Sequence, residues 1–302
     1  MSLRILVIRL SALGDFVLSF QPFAAIRAHH PHAEITLLTT RPFVELAAGS
    51  PWFDRVIVDT RPALWDLAGR RELGRSLRGH DLVYDLQTSA RSNRFFARAG
   101  RPAWSGNAPG SRFRQGPHRE TMHTIERQRD QLERAGIADF PPPDLSWLTA
   151  APAPELPSGY AVLVPGAAPS RPAKRWPVAG YAALAATLVA RGITPVVVGR
   201  ETDLGVAIAQ ACPGAIDLTG RTGLAQLFGI FARARLAVGN DTGPMHVAAS
   251  VGCPSLVLFS GDSDPGLTAP RLPGGGWPAI LRVPVLADLA VARVVEALPL
   301  PA

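Results

Sequence analysis

The chain has 302 residues, of which 47% are hydrophobic and 18% are charged, a composition typical of a folded protein with room for two domains. Its glycines and prolines follow no collagen-like period, which excludes a fibrous protein of that class. The formal net charge of +7 favours anionic partners such as phosphate groups or acidic lipid surfaces. Nucleic acid is not expected as a partner, because no recognition motif or series of stacking aromatic residues supports it.

Short apolar runs alternate with helix-length segments in the first half of the chain. Helices are expected around residues 16–29 and in the segment before residue 80. The runs that predict strands are RILVIRL (4–10), EITLLTT (34–40), RVIVD (55–59) and DLVYDLQ (81–87). This alternation predicts a parallel sheet covered by helices on both faces.

A cytoplasmic location is expected, since the sequence contains no candidate membrane span or signal peptide. No stretch approaches the roughly 18 apolar residues of a membrane span. Charged residues interrupt the N-terminus at Arg4, Arg9 and Asp15, so it is expected to form the first strand and not a signal peptide. The two cysteines, Cys212 and Cys253, have neither metal-binding nor redox spacing and are expected to be free thiols.

The first strand is followed by a turn that contains Ser11, Gly14 and Asp15. A helix N-terminus stabilises a carboxylate, so the simplest interpretation of Asp15 is a helix cap. Its position at the end of the first strand also allows a catalytic role. An ionised carboxylate there could accept a proton as a substrate hydroxyl attacks.

An arginine-rich stretch, residues 91–119, contains seven arginines and no acidic residue. Arg91, Arg94 and Arg98 share one helical face by their spacing. Two interpretations stay open at this point. The face is either simply solvated, or it contacts an anionic acceptor or membrane headgroups.

A proline-rich segment, residues 140–159, interrupts the pattern and predicts an interdomain linker. The pattern then starts again, with strands at 160–166, 193–199, 235–240 and 254–260 and helices at about 178–191, 202–211 and 243–251. An amphipathic helix closes the chain. Two successive Rossmann-like halves predict a ligand cleft between them, at the carboxyl ends of the strands.

The turn Asp241-Thr242-Gly243 follows a strand and opens a helix in the second half. Unpaired backbone donors and the helix dipole make such a helix start a good phosphate site. His246 on the first turn could add a donor. Taken alone, Asp241 could be only an N-cap and His246 only a buried polar residue. Their place in a second Rossmann-like half favours phosphate binding.

Two other strand ends in this half carry charged residues. Lys174, the only lysine of the chain, follows the strand at 160–166, and an ammonium group is a point-charge phosphate ligand. Glu201 follows the strand at 193–199. It would either accept hydrogen bonds from ribose hydroxyls or cap the next helix.

Several of these segments together resemble the glycosyltransferases of family 9, the ADP-heptose:lipopolysaccharide heptosyltransferases. They are ILVIRLSALGDFVLSFQP, DLVYDLQTSARS, KRWP and VGNDTGPMHVAASVGCPSLVLFSGDSDP, which occur in order along nearly the whole chain. The resemblance implies an α/β fold of GT-B type, with two Rossmann-like domains whose parallel sheets face a central cleft. It also implies acceptor binding mainly by the first half and donor binding by the second.

The resemblance assigns roles to individual residues. It implies that Asp15 is the catalytic base. The donor-binding residues would be Ser170, Lys174, Glu201, Asp241, Thr242, Gly243 and His246. The acceptor-binding residues would be Ser11, Gly14, Gln87, Arg91 and Arg94. No metal or other cofactor is implied.

The domains expected from the sequence are an N-terminal acceptor-binding domain (1–150), a linker (151–159) and a C-terminal nucleotide-sugar-binding domain (160–287). The remaining segment, 288–302, is a candidate to pack back on the N-terminal domain. The expected function is inverting, metal-independent transfer of a heptose or related sugar from an ADP-sugar to a lipopolysaccharide inner-core acceptor. The anionic glycolipid acceptor implies peripheral contact with the cytoplasmic face of the inner membrane.

Two alternatives remain from the sequence. A sugar-nucleotide epimerase of similar two-domain fold would change its substrate without an acceptor, but it needs further acid/base groups that are not identified here. A non-catalytic nucleotide-sugar-binding protein would bind the donor whether or not Asp15 is present. A nicotinamide oxidoreductase is disfavoured, because RLSALGD lacks the G-x-G-x-x-G fingerprint.

Overall fold

The structure, a computed structural model, describes residues 2–299. Its internal contacts divide the chain into two units, Met1–Asp144 and Leu145–Ala302. This division lies at 144, whereas the boundary expected from the sequence was 150. The reason is a short helix, Ser146–Thr149, which packs against a helix of the second unit and has the fully buried Leu148.

The first unit is a six-stranded parallel sheet with helices along its chain. Its strands are β1 (Arg4–Ile8), β2 (Glu34–Thr39), β3 (Arg55–Val58), β4 (Leu82–Asp85), β5 (Ala103–Gly106) and β6 (Phe113–Arg114). Its helices are α1 (Leu13–Val17), α2 (Phe20–His29), α3 (Val44–Ala48), α4 (Leu67–Ser76), α5 (Ala90–Arg98) and α6 (Thr124–Arg134). The strand order is β3-β2-β1-β4-β5-β6.

Both faces of this sheet are covered, which explains why its central strands are continuously apolar. The residues Ile5, Leu6, Val7 and Ile8 of β1 are completely buried. Phe16 of α1 stacks on Phe43, which lies in the turn after β2, with ring centroids 4.7 Å apart, and both side chains are buried. The helix expected at 16–29 is two helices, α1 and α2.

The second unit repeats this plan. Its strands are β7 (Ala161–Val164), β8 (Pro195–Val197), β9 (Ile216–Asp217), β10 (Leu236–Asn240), β11 (Ser255–Phe259) and β12 (Ala279–Arg282). Its helices are α7 (Ser146–Thr149), α8 (Val178–Ala190), α9 (Thr202–Ala211), α10 (Leu224–Arg233), α11 (Gly243–Ser250), α12 (Pro265–Thr268) and α13 (Val291–Glu296). The strand order is β12-β11-β10-β7-β8-β9, and every pair is parallel.

The two sheets therefore share one topology, in which the first strand of each unit lies beside the second and the fourth. This is the doubly wound Rossmann order. In such sheets ligands bind at the carboxyl edge, where the connections from the first and fourth strands leave in opposite directions. The loops after β1 and β4, and those after β7 and β10, occupy that position.

The C-terminal helix α13 belongs to the second unit. It packs against α8, and Val294 and Leu298 join the hydrophobic core there. From the sequence, the segment 288–302 was a candidate to pack on the first domain. Its described part packs within the second unit instead. Residues 300–302 lie outside the described residues. Among residues 2–299, no helix is long and apolar enough to cross a membrane.

Candidate functional site

Asp15 lies on α1, just beyond the carboxyl end of β1. Its Oδ1 atom is 3.2 Å from Nη2 of Arg9, and its Oδ2 atom accepts a long hydrogen bond, 3.4 Å, from the backbone N–H of Ala12. The helix-capping contact expected from the sequence is therefore present. The side chain is nevertheless 43% exposed, so a substrate hydroxyl can reach the carboxylate.

Arg9 is a residue of this edge that the sequence analysis did not select. Its side chain is only 4% exposed and donates to the carbonyl oxygen of Leu86. Burial lowers the pKa of Arg9, and the nearby carboxylates of Asp15 and Asp85 oppose that shift. The signal in the sequence was an arginine directly after the unbroken apolar run Ile5–Ile8.

Gln87, in the loop after β4, forms hydrogen bonds to the loop after β1. Its Oε1 atom accepts hydrogen bonds from the backbone N–H groups of Leu10 (2.8 Å) and Ser11 (3.1 Å). Asp85 in turn accepts from the backbone of Gln87 and Thr88, and burial raises the pKa of Asp85 to about 6. Gln87 and Ser11 are thus brought together, and the oxygen of Gln87 is occupied in holding the turn that leads to Asp15. Gly14, on the same turn, is buried.

Two further arginines lie near this edge, and both were missed as site residues. Arg119 donates to the hydroxyl of Thr88 at 3.0 Å, and Arg127 donates to the carbonyl of Met122 at 3.2 Å. Burial and the neighbouring Arg119 lower the pKa of Arg127, whereas Glu120 and Asp15 raise it. The Nε atoms of Arg9, Arg119 and Arg127 are buried without a hydrogen-bond partner among residues 2–299. Arg119 and Arg127 are both partly exposed, so their guanidinium groups add accessible positive charge to this edge.

Arg91 and Arg94 lie on α5, but their surroundings differ. Arg91 forms a two-pronged ion pair with Asp59, with distances of 2.7 and 2.5 Å, and the Asp59 side chain is completely buried. Arg94 is exposed. Of the two candidate acceptor contacts, Arg91 is therefore engaged in a structural ion pair, whereas Arg94 is available at the surface.

In the second unit, Lys174 and Asp241 are in direct contact. Lys174 ends a short 3₁₀ turn, Pro172–Lys174, in the connection after β7, and Asp241 directly follows β10. The Nζ atom donates to Oδ2 of Asp241, and the two side chains are only 13% and 6% exposed. The ammonium group keeps two further donors for an anion.

The start of α11 lies beside this ion pair. Thr242 is the N-cap residue, with extended backbone angles and no side-chain capping bond, and Gly243 is the first residue of the helix. Both residues are partly exposed, so their backbone donors face an accessible helix start. His246 is on the first turn of the helix and is 7% exposed.

Asn240 holds this edge together, although the sequence analysis did not identify it. Its Oδ1 atom accepts from the backbone N–H of Trp176 and from the Tyr181 hydroxyl, both at 3.0 Å. Its amide nitrogen donates to the carbonyl of Pro165 at 2.7 Å. Asn240 thus ties the end of β10 to the loop that carries Lys174.

Glu201 is the N-cap residue of α9, but its side chain makes no capping hydrogen bond. The carboxylate lies against Gly166, where a Cβ atom would come within 2.2 Å of Oε2. Arg175 Nη2 lies 3.9 Å from Oε1 of Glu201. The alternative that Glu201 is merely a helix cap is therefore not favoured. Ser170 is exposed in the loop after β7.

The second unit thus presents a lysine, a helix N-terminus and a carboxylate at the carboxyl edge of one sheet. An ammonium group and backbone amides suit a diphosphate, and a carboxylate suits sugar hydroxyls. Within residues 2–299, no group of three or more His, Cys, Asp or Glu side chains is arranged to hold a metal ion.

Comparisons with known proteins identify the family of the chain. A model of glycosyltransferase family 9 (heptosyltransferase) matches residues 70–273. The lipooligosaccharide heptosyltransferase 2 of Haemophilus ducreyi is 28% identical over 302 residues, covering 89% of this chain and 86% of that protein. The enzyme of the same name from Haemophilus influenzae is 37% identical over 106 residues, so the match spans 33% of this chain and only 30% of that relative.

A solved structure also resembles the chain along its whole length. The structure of Escherichia coli ADP-heptose lps heptosyltransferase II has a TM-score of 0.75 and 25% identity, covering 98% of this chain and 97% of the other. The α/β architecture with two parallel sheets is thus the GT-B fold of that structure. Because the family model matches more than half of its residues, the chain belongs to glycosyltransferase family 9, the heptosyltransferases.

Proposed function

We propose that the chain transfers a heptose from ADP-heptose to the inner core of a lipopolysaccharide acceptor, with inversion at the anomeric carbon and without a metal ion. The main observation that supports this proposal is the contact between Lys174 and Asp241 beside the start of α11, in a chain of the heptosyltransferase family. The similarity to the Escherichia coli ADP-heptose lps heptosyltransferase II supports the choice of donor and acceptor.

The second unit is proposed to bind the donor. Lys174 and the backbone amides of Thr242 and Gly243 would hold the diphosphate, with His246 and Ser170 as further contacts. Glu201 would accept hydrogen bonds from the ribose hydroxyls, and Asp241 would contact the sugar. As the bond between the sugar and the diphosphate breaks, negative charge grows on the leaving group. Fixed cations and amide dipoles stabilise that charge without reorganisation.

The first unit is proposed to bind the acceptor. Asp15 would take the proton from the acceptor hydroxyl as its oxygen forms the new bond to the anomeric carbon. The ion pair with Arg9 fixes the orientation of that carboxylate. Ser11, the partly exposed Arg119 and Arg127 and the exposed Arg94 would hold anionic groups of the acceptor.

A glycolipid acceptor lies in a bilayer, so we also propose peripheral contact of the chain with the cytoplasmic face of the inner membrane. The positive net charge supports such contact, because anionic lipids attract basic proteins.

The test is a transfer assay with purified chain, ADP-heptose and a deacylated inner-core acceptor, in the presence of EDTA. The proposal expects an acceptor heavier by one heptosyl residue, release of ADP, and an inverted anomeric centre by NMR. A change of the donor sugar without acceptor would instead indicate an epimerase. Binding of ADP-heptose without any turnover would indicate a binding protein, and loss of transfer on EDTA treatment would contradict the metal-free mechanism.

A further inference from the structure

A groove rich in arginine is lined by residues of α4 and α5 in the first unit. It consists of two adjoining cavities of about 470 and 300 Å³ that share Arg70 and Arg98 as lining residues. We call this surface the basic groove. The further cations that line it are Arg71, Arg75, Arg78, Arg91 and Arg94.

Most of these arginines lack an acidic partner. Arg91 is paired with the buried Asp59, but no ion pair is found for the other six within residues 2–299. The acidic groups on the same helix are Asp66 and Glu72, both exposed; Asp66 caps α4 by accepting from the backbone of Gly69 at 2.8 Å. The groove therefore carries a surplus of positive charge at the surface.

Three large apolar side chains belong to the segment beside the same groove, and two of them, Leu64 and Leu67, line its cavities. Leu64 is 79% exposed, Trp65 is 85% exposed and Leu67 is 60% exposed. These are the three most exposed of the large hydrophobic side chains described in the chain. They are adjacent in sequence, whereas the remaining exposed ones are scattered. An exposed apolar group of this kind beside a charged surface indicates an interaction site.

The loop that carries these side chains is held in place by its own hydrogen bonds. Arg70 donates to the carbonyl of Leu64 at 2.9 Å, and the backbone N–H of Asp66 donates to Ala63 at 3.1 Å. Below the exposed face, Leu73 and Leu77 anchor α4 in the core. The apolar side chains are thus presented outward by an ordered loop.

This loop is also at the edge of the sheet where Asp15 lies. It follows β3, as the loop with Asp15 follows β1, and both β-strands are parallel neighbours of β2. The ion pair between Asp59, directly after β3, and Arg91 on α5 connects the two sides of the groove.

We propose that the basic groove, with Leu64, Trp65 and Leu67, docks the chain on an anionic lipid bilayer. The five groove arginines other than Arg91 and Arg94 would contact lipid phosphates, and tryptophan and leucine would enter the interfacial region of the headgroups. The inference deepens the proposed membrane contact and places it on α4, the loop before it and Arg98 of α5, rather than on the whole stretch 91–119. Docking itself does not depend on the transferase reaction.

Vesicle flotation of the full-length chain tests the proposal. Vesicles of phosphatidylcholine alone are compared with vesicles that contain phosphatidylglycerol, neither of which carries an acceptor. We expect binding to the anionic vesicles that weakens as salt increases. Each basic residue near such a surface is worth about 1 kcal/mol, so Arg71→Glu/Arg75→Glu should weaken binding at least about tenfold.

Matched variants distinguish vesicle binding by this face from a general effect of the net charge of the chain. Trp65→Ser should weaken binding severalfold, whereas Trp277→Ser, in the second unit, should not. Arg191→Glu/Arg235→Glu, which reverses two exposed charges of the second unit, should bind within about twofold of the unaltered chain. Brominated lipids should quench fluorescence in the unaltered chain more than in Trp65→Ser.

Four outcomes would overturn the proposal. The first two are no binding to anionic vesicles and equal weakening by test and control variants. The third is binding only to vesicles to which the glycolipid acceptor has been added, which would make the groove an acceptor subsite. The fourth is a dimer that disappears in Trp65→Ser, which would assign the surface to a second copy of the chain. If the transferase function were wrong, a soluble acceptor would not react, yet vesicle binding would be unchanged; if docking alone were wrong, Arg71→Glu/Arg75→Glu would still transfer to that acceptor.

Discussion

Lys174 Nζ lies 2.5 Å from Asp241 Oδ2, which joins the connection after β7 to the residue that follows β10. These strands are neighbours in the second sheet, and the contact spans 67 positions of sequence. The only lysine of the chain is thereby fixed beside the start of α11. In the proposed mechanism this contact holds the Lys174 ammonium group in position to bind the diphosphate before the donor binds.

Removal of Lys174 should weaken the binding of ADP but not of adenosine. A hydrogen bond to a charged group contributes about 1.5–3 kcal/mol, so Lys174→Ala should raise the Kd for ADP at least about tenfold. The Kd for adenosine should change by less than about twofold, which also serves as the control for folding. Isothermal titration calorimetry measures both, and equal weakening of the two ligands would remove Lys174 from the phosphate site.

Loss of the Glu201 carboxylate should weaken the binding of ADP and of adenosine alike, in contrast to loss of Lys174. Glu201→Ala should weaken ADP and adenosine by the same factor, about tenfold, since both ligands carry the ribose. Asp203→Ala, an exposed residue on the same helix, is the matched control and should leave both affinities unchanged. The assignment to the ribose fails if adenosine binding is unaffected by the change at Glu201.

The two arginines at the start of α5 should differ in their effect on stability. Arg91→Ala leaves the buried carboxylate of Asp59 without its partner, which should lower the free energy of unfolding by about 3 kcal/mol. Arg94→Ala, at an exposed position, should change it by less than about 0.5 kcal/mol. Urea denaturation measures both, and similar small effects would contradict the structural role of Arg91.

Because of this difference, charge reversal at Arg94 alone is the proper test of acceptor binding by α5. Arg94→Glu should raise the KM for the acceptor and leave donor affinity unchanged. If Arg94→Glu instead weakens donor binding, the acceptor assignment is wrong.

Asp85 should give the protein a specific pH dependence. Its pKa in the folded chain is about 6, above the ordinary value of 3.8, because burial disfavours the charged form. A group with a raised folded pKa binds more protons in the folded state, so this group's contribution to stability falls as the pH rises from about 4 to 6. The free-energy cost of burying the charged carboxylate is complete only at pH values above the pKa of Asp85 in the folded chain.

Asp85→Asn removes that cost. The stability of the variant relative to the unaltered chain should therefore rise by about 1–3 kcal/mol between pH 4 and pH 7 and be flat above it. Urea denaturation at a series of pH values measures the difference. A difference that does not change with pH would show that Asp85 does not titrate in this range.

The sequence predicted the inner strands well, because they are buried on both faces and consist of unbroken apolar runs, as in Ile5–Ile8 and Leu256–Phe259. The outer strands had no such signal. Phe113–Arg114 and Ile216–Asp217 have two residues each, and they are strands only because a neighbouring strand pairs with them.

The same limit applies to the site. Lys174, Asp241 and Glu201 could be selected because each follows an apolar run in a recognisable pattern. Asn240 and Arg127 could not, since Asn240 acts through partners at positions 165, 176 and 181, and Arg127 lies on a helix with no apolar run. The spacing of Arg91, Arg94 and Arg98 did predict a shared face, but it contained no sign of the ion pair with Asp59.

The role of Asp15 is the claim on which the mechanism depends most, and the turnover of Asp15→Asn measures it most directly. Single-turnover rates of heptose transfer and calorimetric Kd values for ADP are compared for this variant, for Asp139→Asn, which changes an exposed aspartate of the first unit, and for the unaltered chain. General-base catalysis contributes about 10²–10⁴-fold, so the rate of Asp15→Asn should fall by that factor while its affinity for ADP stays unchanged. A transfer rate within about twofold of the control would contradict the account.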